Sequence, residues 1–162
     1  MNRRYLVVAQ RVRAELGDLE RAIDRAERAS AAVRRQGRDQ DLYLDSAALN
    51  LHDFYAGLER ILRHLATTVD ESLPAGPDWH RDLLAQMATA VPKLRPPAIS
   101  AETAGGLDEY LRFRHVVRNV YAFELDAERL ESLVGGLRSL FDRVRSELMA
   151  FAEFLDQLAE KG

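Results

Sequence analysis

The chain has 162 residues, of which 47% are hydrophobic and 30% are charged. This length is typical of one domain with a single core, and the apolar content excludes a disordered chain. The formal net charge of −3 excludes a global attraction to nucleic acid or anionic lipid, so any phosphate-binding surface has to be local. We therefore predict a single domain over residues 1–162.

Cysteine content and the first residues indicate where the protein acts. There is no cysteine, which excludes a disulfide framework, a thiolate nucleophile and a zinc–thiolate site. The start, MNRRYLVVAQRVRAEL, is basic and then briefly apolar, but polar residues interrupt it before a signal-peptide core or a membrane span is complete. We expect a protein of the reducing cytoplasm.

Two long helices are predicted in the first half of the chain. Apolar residues recur every three or four positions near the start, which predicts helix one from about residue 2 to residue 36. Gly37 and the polar residues after it predict a turn. Helix two is predicted from about residue 40 to residue 69, and its two apolar stripes indicate a central position in the core.

Three further helices are predicted in the second half. A proline-rich loop precedes a short helix three over about residues 79–90, with Asp78 as its cap. Ser100 is predicted to cap helix four, which ends near residue 125, and Asp126 to cap a long helix five. No segment has the alternating pattern of a strand. The predicted fold is all-α, an antiparallel four-helix-type bundle with one short extra helix.

Helix four carries the densest polar stretch of the chain, RFRHVVRNVYAFELD. A helical wheel places five apolar residues on its core side: Phe113, Val116, Val117, Val120 and Phe123. The other side holds a compact polar patch: Arg114, His115, Arg118, Asn119 and Tyr121. Arginine binds phosphate oxygens and histidine exchanges a proton near neutral pH, so the patch indicates phosphodiester chemistry. The alternative is a solvated face, because the chain has 21 arginines and two lysines.

Helix two carries a polar seam beside its apolar stripes. Ser46, Asn50, Asp53, Gly57 and Arg60 follow one another at helical spacing. If this seam faces helix four, Asn50 and Asp53 are expected to orient the arginines or His115 there. The alternative is a set of internal hydrogen bonds or a dimer contact.

The patch on helix four resembles a known motif, because RHVVRNVY has the spacing of the R-x4-H-x-Y motif of HEPN-domain proteins. The segments DLYLDSAALNLHDFYAGLERIL and WHRDLL extend the resemblance to the HepT-like branch of that family. This resemblance implies a dimeric, helical-bundle ribonuclease that uses no metal and no cofactor. It also implies a toxin, paired with a nucleotidyltransferase antitoxin similar to MntA.

The motif maps onto this chain with one departure. Its arginine falls on Arg114 and its tyrosine on Tyr121, but its histidine falls on Asn119. Asparagine does not titrate near neutral pH, so it cannot move the proton that the family's histidine moves. His115 lies one turn before Asn119 and is the candidate substitute, with Arg118 as a supporting RNA-binding residue. Three outcomes stay open: an active nuclease that uses His115, a slow one, or an inactive relative that keeps the binding surface.

The resemblance also implies how such a toxin is silenced. The partner nucleotidyltransferase transfers AMP to the motif tyrosine, here Tyr121, and a phosphate beside Arg114 and Arg118 would neutralise the patch. The leading hypothesis is therefore a cytoplasmic ribonuclease toxin with an MntA-like antitoxin. The alternatives are a non-catalytic subunit that docks a nucleotidyltransferase, and a helical scaffold without a small-molecule site.

Overall fold

The computed structural model describes residues 1–35, 37–121 and 124–162. These residues form five α-helices: α1 (Arg3–Arg34), α2 (Gln40–Leu65), α3 (Trp79–Met87), α4 (Ala101–Asn119) and α5 (Ala127–Lys161). A single π-helical turn, Ala66–Asp70, continues α2. Within these ranges β-type pairing is limited to one isolated bridge between Val91 and Arg95. The predicted all-α class is confirmed.

The four longer helices pack side by side in alternating directions. α1 contacts α2 and α5 along its length, and α4 packs against α2 and α5. Three aromatic rings join α2, α4 and α5 in the core, because Phe54 makes edge-to-face contacts with Tyr110 at 5.9 Å and with Phe141 at 6.4 Å. The short α3 lies against α2 and α4 as the extra helix. No helix formed by the described residues is long and apolar enough to cross a membrane.

Close packing of α1 on α2 depends on Gly57. A Cβ atom at this position would lie 2.6 Å from Leu19 Cδ2 and 2.9 Å from Glu15 Oε1. Leu19 is itself buried, so it has little room to move away. The absence of a side chain at Gly57 therefore sets the distance between the two helices.

Ion pairs join α1 to α5. Arg138 of α5 reaches Asp24 at 2.5 Å, and it also pairs with Glu27 and Glu20 of α1. Arg13 of α1 pairs in the opposite sense with Asp156 of α5 at 2.6 Å. Each of the two helices thus supplies both a cation and carboxylates to the contact between them.

A buried ion pair holds the segment that carries α3. Arg95 Nε donates to Asp70 Oδ1 at 2.5 Å, and both side chains are at most 5% exposed. The same guanidinium donates to the backbone carbonyls of Gln86, Thr89 and Pro96. Because Asp70 ends the π-helical turn and Gln86 lies in α3, this cluster fixes α3 relative to α2.

The predicted helix starts agree with the structure. Helix two begins at Gln40, as predicted, and helix one begins at Arg3 with Asn2 as its cap. Ser100 Oγ accepts from the Thr103 amide and Asp126 Oδ1 from the Glu128 amide, so both predicted caps are confirmed. Asp78 precedes α3, but its side chain makes no capping hydrogen bond. The predicted end of helix one, Gln36, lies outside the described residues.

Two helix ends differ from the prediction. α3 ends at Met87 and not near residue 90, because the Ala98 and Ile99 amides donate to the Met87 carbonyl and turn the chain away. α4 ends at Asn119 and not near residue 125, since Val120 already has an extended backbone. The Asn119 side-chain amide donates to the His115 carbonyl at 2.6 Å, which satisfies a terminal carbonyl and favours the end of the helix.

The early end of α4 changes its predicted core face. Phe113 is buried as predicted, whereas Val116 and Val117 are only half-buried. Val120 is 37% exposed, so its assignment to the core is wrong. Phe123 lies outside the described residues. Tyr121 follows the last residue of α4 and therefore does not continue the helical line of Arg114 and Arg118.

Candidate functional site

Arg114 on α4 is half-buried and forms no ion pair with the residues that the structure describes. Its Nε and Nη1 are buried and find no hydrogen-bond partner in the described part of the chain. The carboxylates of this region are already engaged, since Asp108 pairs with Arg81 at 3.2 Å and with Arg112 at 3.0 Å. A buried donor without an acceptor costs about 1–3 kcal/mol, and more when it is charged. Arg114 thus has two donors that are closed to solvent and that no acceptor in the described residues satisfies.

The guanidinium of Arg114 lies near the hydroxyl of Tyr55 on α2. Burial raises the pKa of Tyr55, and the positive charge of Arg114 acts in the opposite direction. Tyr55 is 1% exposed and belongs to the core. The charge of Arg114 is therefore felt inside the core, at a residue of α2.

His115 is exposed and lies among positive charges. Partial desolvation lowers the pKa of His115 below its ordinary value, and surrounding cations lower it further: His80, Arg114, Arg81 and Arg118. The imidazole is therefore neutral at pH 7, which is the form that accepts a proton. We call these five residues, His80, Arg81, Arg114, His115 and Arg118, the basic cluster.

The basic cluster includes a histidine that helical spacing did not single out. His80 on α3 meets His115 edge-to-face, with ring centroids 5.6 Å apart. Its Nδ1 lies 2.6 Å from Oε2 of Glu59, a carboxylate on α2 that is 6% exposed. Trp79 stacks on the same imidazole at 3.6 Å, and Arg63 lies over the Trp79 ring. Three helices therefore converge on these two histidines.

The remaining residues of the predicted patch form a second group at the C-terminal end of α4. Arg118, Asn119 and Tyr121 line an open cavity of about 380 Å³ together with Val120 and Glu124. Asn119 is exposed, and its side chain is bonded to the His115 carbonyl. Tyr121 is 71% exposed. The structure thus divides the predicted patch. Arg114 and His115 lie where α2, α3 and α4 meet, which we call the three-helix junction. Asn119 and Tyr121 lie past this junction, with Arg118 between the two groups.

Asn50 and Asp53 of helix two were expected to face helix four and to orient its arginines or His115, and the structure places them on another side of α2. Asn50 and Asp53 line a groove against α1, together with Glu15, Asp18 and Arg60. Asn50 is 4% exposed, and its amide donates to the Ser46 carbonyl at 2.8 Å. Arg60, next along the seam, pairs with Glu15 of α1 at 2.8 Å. These side chains therefore lie on the α1 side of α2 and do not orient the residues of α4.

Sequence reasoning missed Glu59 and His80 as members of the site. They are 21 positions apart and on different helices, so no helical wheel brings them together. A signal was present in WHRDLL, where a histidine follows the only tryptophan of the chain. Across residues 1–35, 37–121 and 124–162, no group of three or more histidine or carboxylate side chains is arranged to hold a metal ion.

Fold and site together define a class of protein. An all-α bundle is HEPN-like when its fourth helix carries an arginine and a polar residue in the histidine position and a tyrosine follows at motif spacing just past the helix. A family model described as HepT-like protein matches residues 46–155. The chain belongs to this HepT-like family. The matched segment contains the whole basic cluster, Glu59 and Tyr121, and it leaves out all of α1, the start of α2 and the end of α5. No curated protein and no solved structure matches the chain.

Proposed function

We propose that the protein is a toxin-type endoribonuclease that cleaves RNA without a metal ion. The observation that carries this proposal is the half-buried Arg114, whose Nε and Nη1 have no partner among the described residues, beside an exposed histidine. A phosphate of RNA offers the acceptor oxygens that these donors lack. Membership of the HepT-like family supports the toxin role.

The proposed reaction needs one phosphate-binding group and one proton acceptor. The 2′-hydroxyl of the RNA attacks the adjacent phosphorus, so that the P–O2′ bond forms and the P–O5′ bond breaks. Arg114 stabilises the charge that develops on the phosphate oxygens, and neutral His115 accepts the hydroxyl proton. Asn119 contributes at most a hydrogen bond, because its amide does not titrate.

Cleavage of tRNA tests the ribonuclease activity. We expect His115→Ala to lose on the order of 100-fold to 10,000-fold in rate, as for a lost proton acceptor. Arg114→Ala should lose on the order of 100-fold to 1,000-fold, and Arg114→Lys should recover only part of it, because lysine keeps the charge but not the planar donor set. Arg145→Ala, on the exposed side of α5, is the matched control. Wild-type cleavage equal to that of Arg114→Ala would exclude the ribonuclease.

The proposal includes silencing by a partner. An MntA-like nucleotidyltransferase antitoxin transfers AMP to Tyr121, whose side chain is 71% exposed. Tyr121 and Arg118 line the same cavity, so a phosphate added to Tyr121 would lie near a guanidinium and would compete with RNA. The protein acts in the cytoplasm as a single domain over residues 1–162. It forms a homodimer in which the two α4 helices line one RNA-binding groove.

Co-expression with such a nucleotidyltransferase tests the modification. Mass spectrometry should find one added AMP on the peptide that contains Tyr121. Tyr121→Phe should remove the modification, whereas Tyr43→Phe should leave it, since Tyr43 is also exposed but lies on α2. AMP on another residue, or none in an active complex, would contradict this part of the proposal.

One observation favours a second function, a binding subunit that docks the nucleotidyltransferase and does not cleave RNA. Asn119 stands in the motif histidine position, and its amide is occupied by the His115 carbonyl. Asn119→His separates the two functions, with Asn119→Gln as the control that keeps an amide. In the binding subunit, the wild type is inactive and Asn119→His gains ribonuclease activity. In the ribonuclease proposed here, the wild type is already active.

A further inference from the structure

The pair Glu59 and His80 lies outside the motif segment and is built like a proton-transfer site. The Glu59 side chain is 8% exposed and the His80 side chain 13% exposed, with 2.6 Å between Oε2 and Nδ1. A carboxylate only accepts hydrogen bonds, so Nδ1 carries a proton. Nε2 is therefore the nitrogen that takes up or releases a proton, and Glu59 fixes this arrangement.

The His80 ring is also fixed in position. Trp79 stacks on it with centroids 3.6 Å apart and an interplanar angle of 29°. His115 meets it at 72°, with centroids 5.6 Å apart. The Asp70–Arg95 cluster anchors the end of α3, so the helix that carries His80 cannot slide along α2. Two imidazoles are thus held side by side next to the partnerless Arg114.

Two imidazoles match a need that the proposed cleavage leaves open. The attacking 2′-hydroxyl loses a proton and the departing 5′-oxygen has to gain one. Because these two oxygens lie in line on opposite sides of the phosphorus, one histidine does not reach both of them in a concerted step. His115, the exposed member, is neutral and suits the first step. His80 is the other titratable imidazole at the junction.

We propose that His80 is a second proton-transfer residue of this site, positioned by Glu59, and that it replaces the acid–base function lost with the motif histidine. His115 accepts the 2′-hydroxyl proton as the P–O2′ bond forms. Protonated His80 donates the Nε2 proton to the 5′-oxygen as the P–O5′ bond breaks. The products are a 2′,3′-cyclic phosphate and a 5′-hydroxyl, and both imidazoles return to their starting forms by proton exchange with water. This inference rests on the ribonuclease function proposed above.

A change of leaving group isolates the role of His80. A para-nitrophenolate leaves without protonation, so cleavage of uridine 3′-(para-nitrophenyl phosphate) needs no acid. We expect His80→Ala to lose on the order of 100-fold or more on tRNA and little on the aryl ester, whereas His115→Ala loses on both. Glu59→Gln should follow the pattern of His80→Ala more weakly. Equal losses on both substrates, or no loss in His80→Ala, would show that His80 is structural.

A measurement on the wild type covers the case in which His80→Ala does not fold. Imidazole nitrogen NMR is recorded while a tRNA-derived oligonucleotide is added in which hydrogen replaces every 2′-hydroxyl. We expect the resonances of His80 and His115 to move, while those of His52 and His64 stay, since these two lie elsewhere on α2. A response of His115 without His80 would overturn the inference even if cleavage is found. A wild type that cleaves neither substrate overturns the proposed function, and the role of His80 with it. Full tRNA cleavage by His80→Ala overturns only the role of His80 and leaves the proposed ribonuclease function in place.

Discussion

Arg114 differs from the other arginines of the chain in its surroundings. Arg13, Arg60, Arg95 and Arg138 each pair with carboxylates that belong to a neighbouring element, and so they hold the bundle together. Arg114 is half-buried, but two of its nitrogens meet no acceptor within the described residues. Composition does not distinguish these arginines, whereas burial and partners do. A charged group kept in this state is a cost to the fold that the proposed phosphate binding would explain.

Replacement of Arg114 by methionine should stabilise the protein. Methionine has a similar length and no polar donors, so the fold no longer carries a partly buried charge without a partner. We expect the free energy of unfolding in urea to rise by about 1–3 kcal/mol, while RNA cleavage is lost. Arg145→Met on the exposed side of α5 is the control and should change stability by less than about 0.5 kcal/mol. A fall in stability for Arg114→Met would mean that the guanidinium has a stabilising partner.

The titration of His115 should respond to its charged neighbours. Its pKa is lowered by partial desolvation first and then by four cations, two on α3 (His80, Arg81) and two on α4 (Arg114, Arg118). Arg118→Gln removes one exposed charge, so the pKa of His115 should rise towards its ordinary value. NMR titration measures this directly, with Arg145→Gln as the control.

The direction in which cleavage changes with pH follows from the role of His115. A proton acceptor works in its neutral form, so cleavage falls as pH drops below the pKa of His115. Because that pKa is lowered, the fall lies below about pH 6.5 in the wild type. In Arg118→Gln the fall in cleavage should lie at higher pH than in the wild type. An acidic limb at the same pH in both proteins would remove His115 from the acceptor role.

At the scale of elements, α3 is short but decides the geometry of the site. It has nine residues, too few to be stable alone, and yet it carries Trp79 and His80. Its position comes from contacts at both ends: the Glu59–His80 hydrogen bond at its start and the Arg95 bonds to the Gln86 carbonyl at its end. The contacts of Arg95 with Asp70 and with the Gln86 carbonyl therefore also help to fix the position of His80 next to His115.

Loss of Asp70 should loosen α3 before the rest of the bundle. Asp70→Ala leaves the buried Arg95 without its counter-ion, which is expected to cost about 3–5 kcal/mol. Trp79 is the only tryptophan, so its fluorescence reports on α3 while circular dichroism reports on all helices. The fluorescence transition in urea should come earlier than the dichroism transition. Asp18→Ala, which removes an exposed pair with Arg21, should shift neither by more than about 1 kcal/mol.

At the scale of the whole molecule, sequence periodicity predicted the helices but not their neighbours. The three-four spacing of apolar residues was sufficient for α1, α2 and α5, because each buries one long stripe. A wheel shows which residues share a face but not which helix covers it, so Asn50 and Asp53 were assigned to the wrong neighbour. The end of α4 depends on a local bond from Asn119 that periodicity does not contain.

The candidate site shows the same division between local and long-range information. Arg114 and His115 were found because they follow one another in a motif segment. Glu59 and His80 meet only after α2 and α3 have packed together, and one sequence holds no record of that contact. Sequence reasoning therefore identified His115, whereas His80 was identified only from the fold.

The proposed homodimer predicts a specific effect at the end of α4. If the two α4 helices meet across the interface, Val120 is covered there, although it is 37% exposed in the single chain. Val120→Glu places two like charges at the contact, and desolvating them opposes association. Leu73→Glu is the matched control, because Leu73 is 41% exposed but lies in the loop before α3. Sedimentation over a concentration series should show wild type and Leu73→Glu at the mass of two chains and Val120→Glu shifted towards one, with unchanged circular dichroism. An unshifted Val120→Glu dimer would place the interface elsewhere, and the shared groove would then have to be abandoned in favour of one site in each chain.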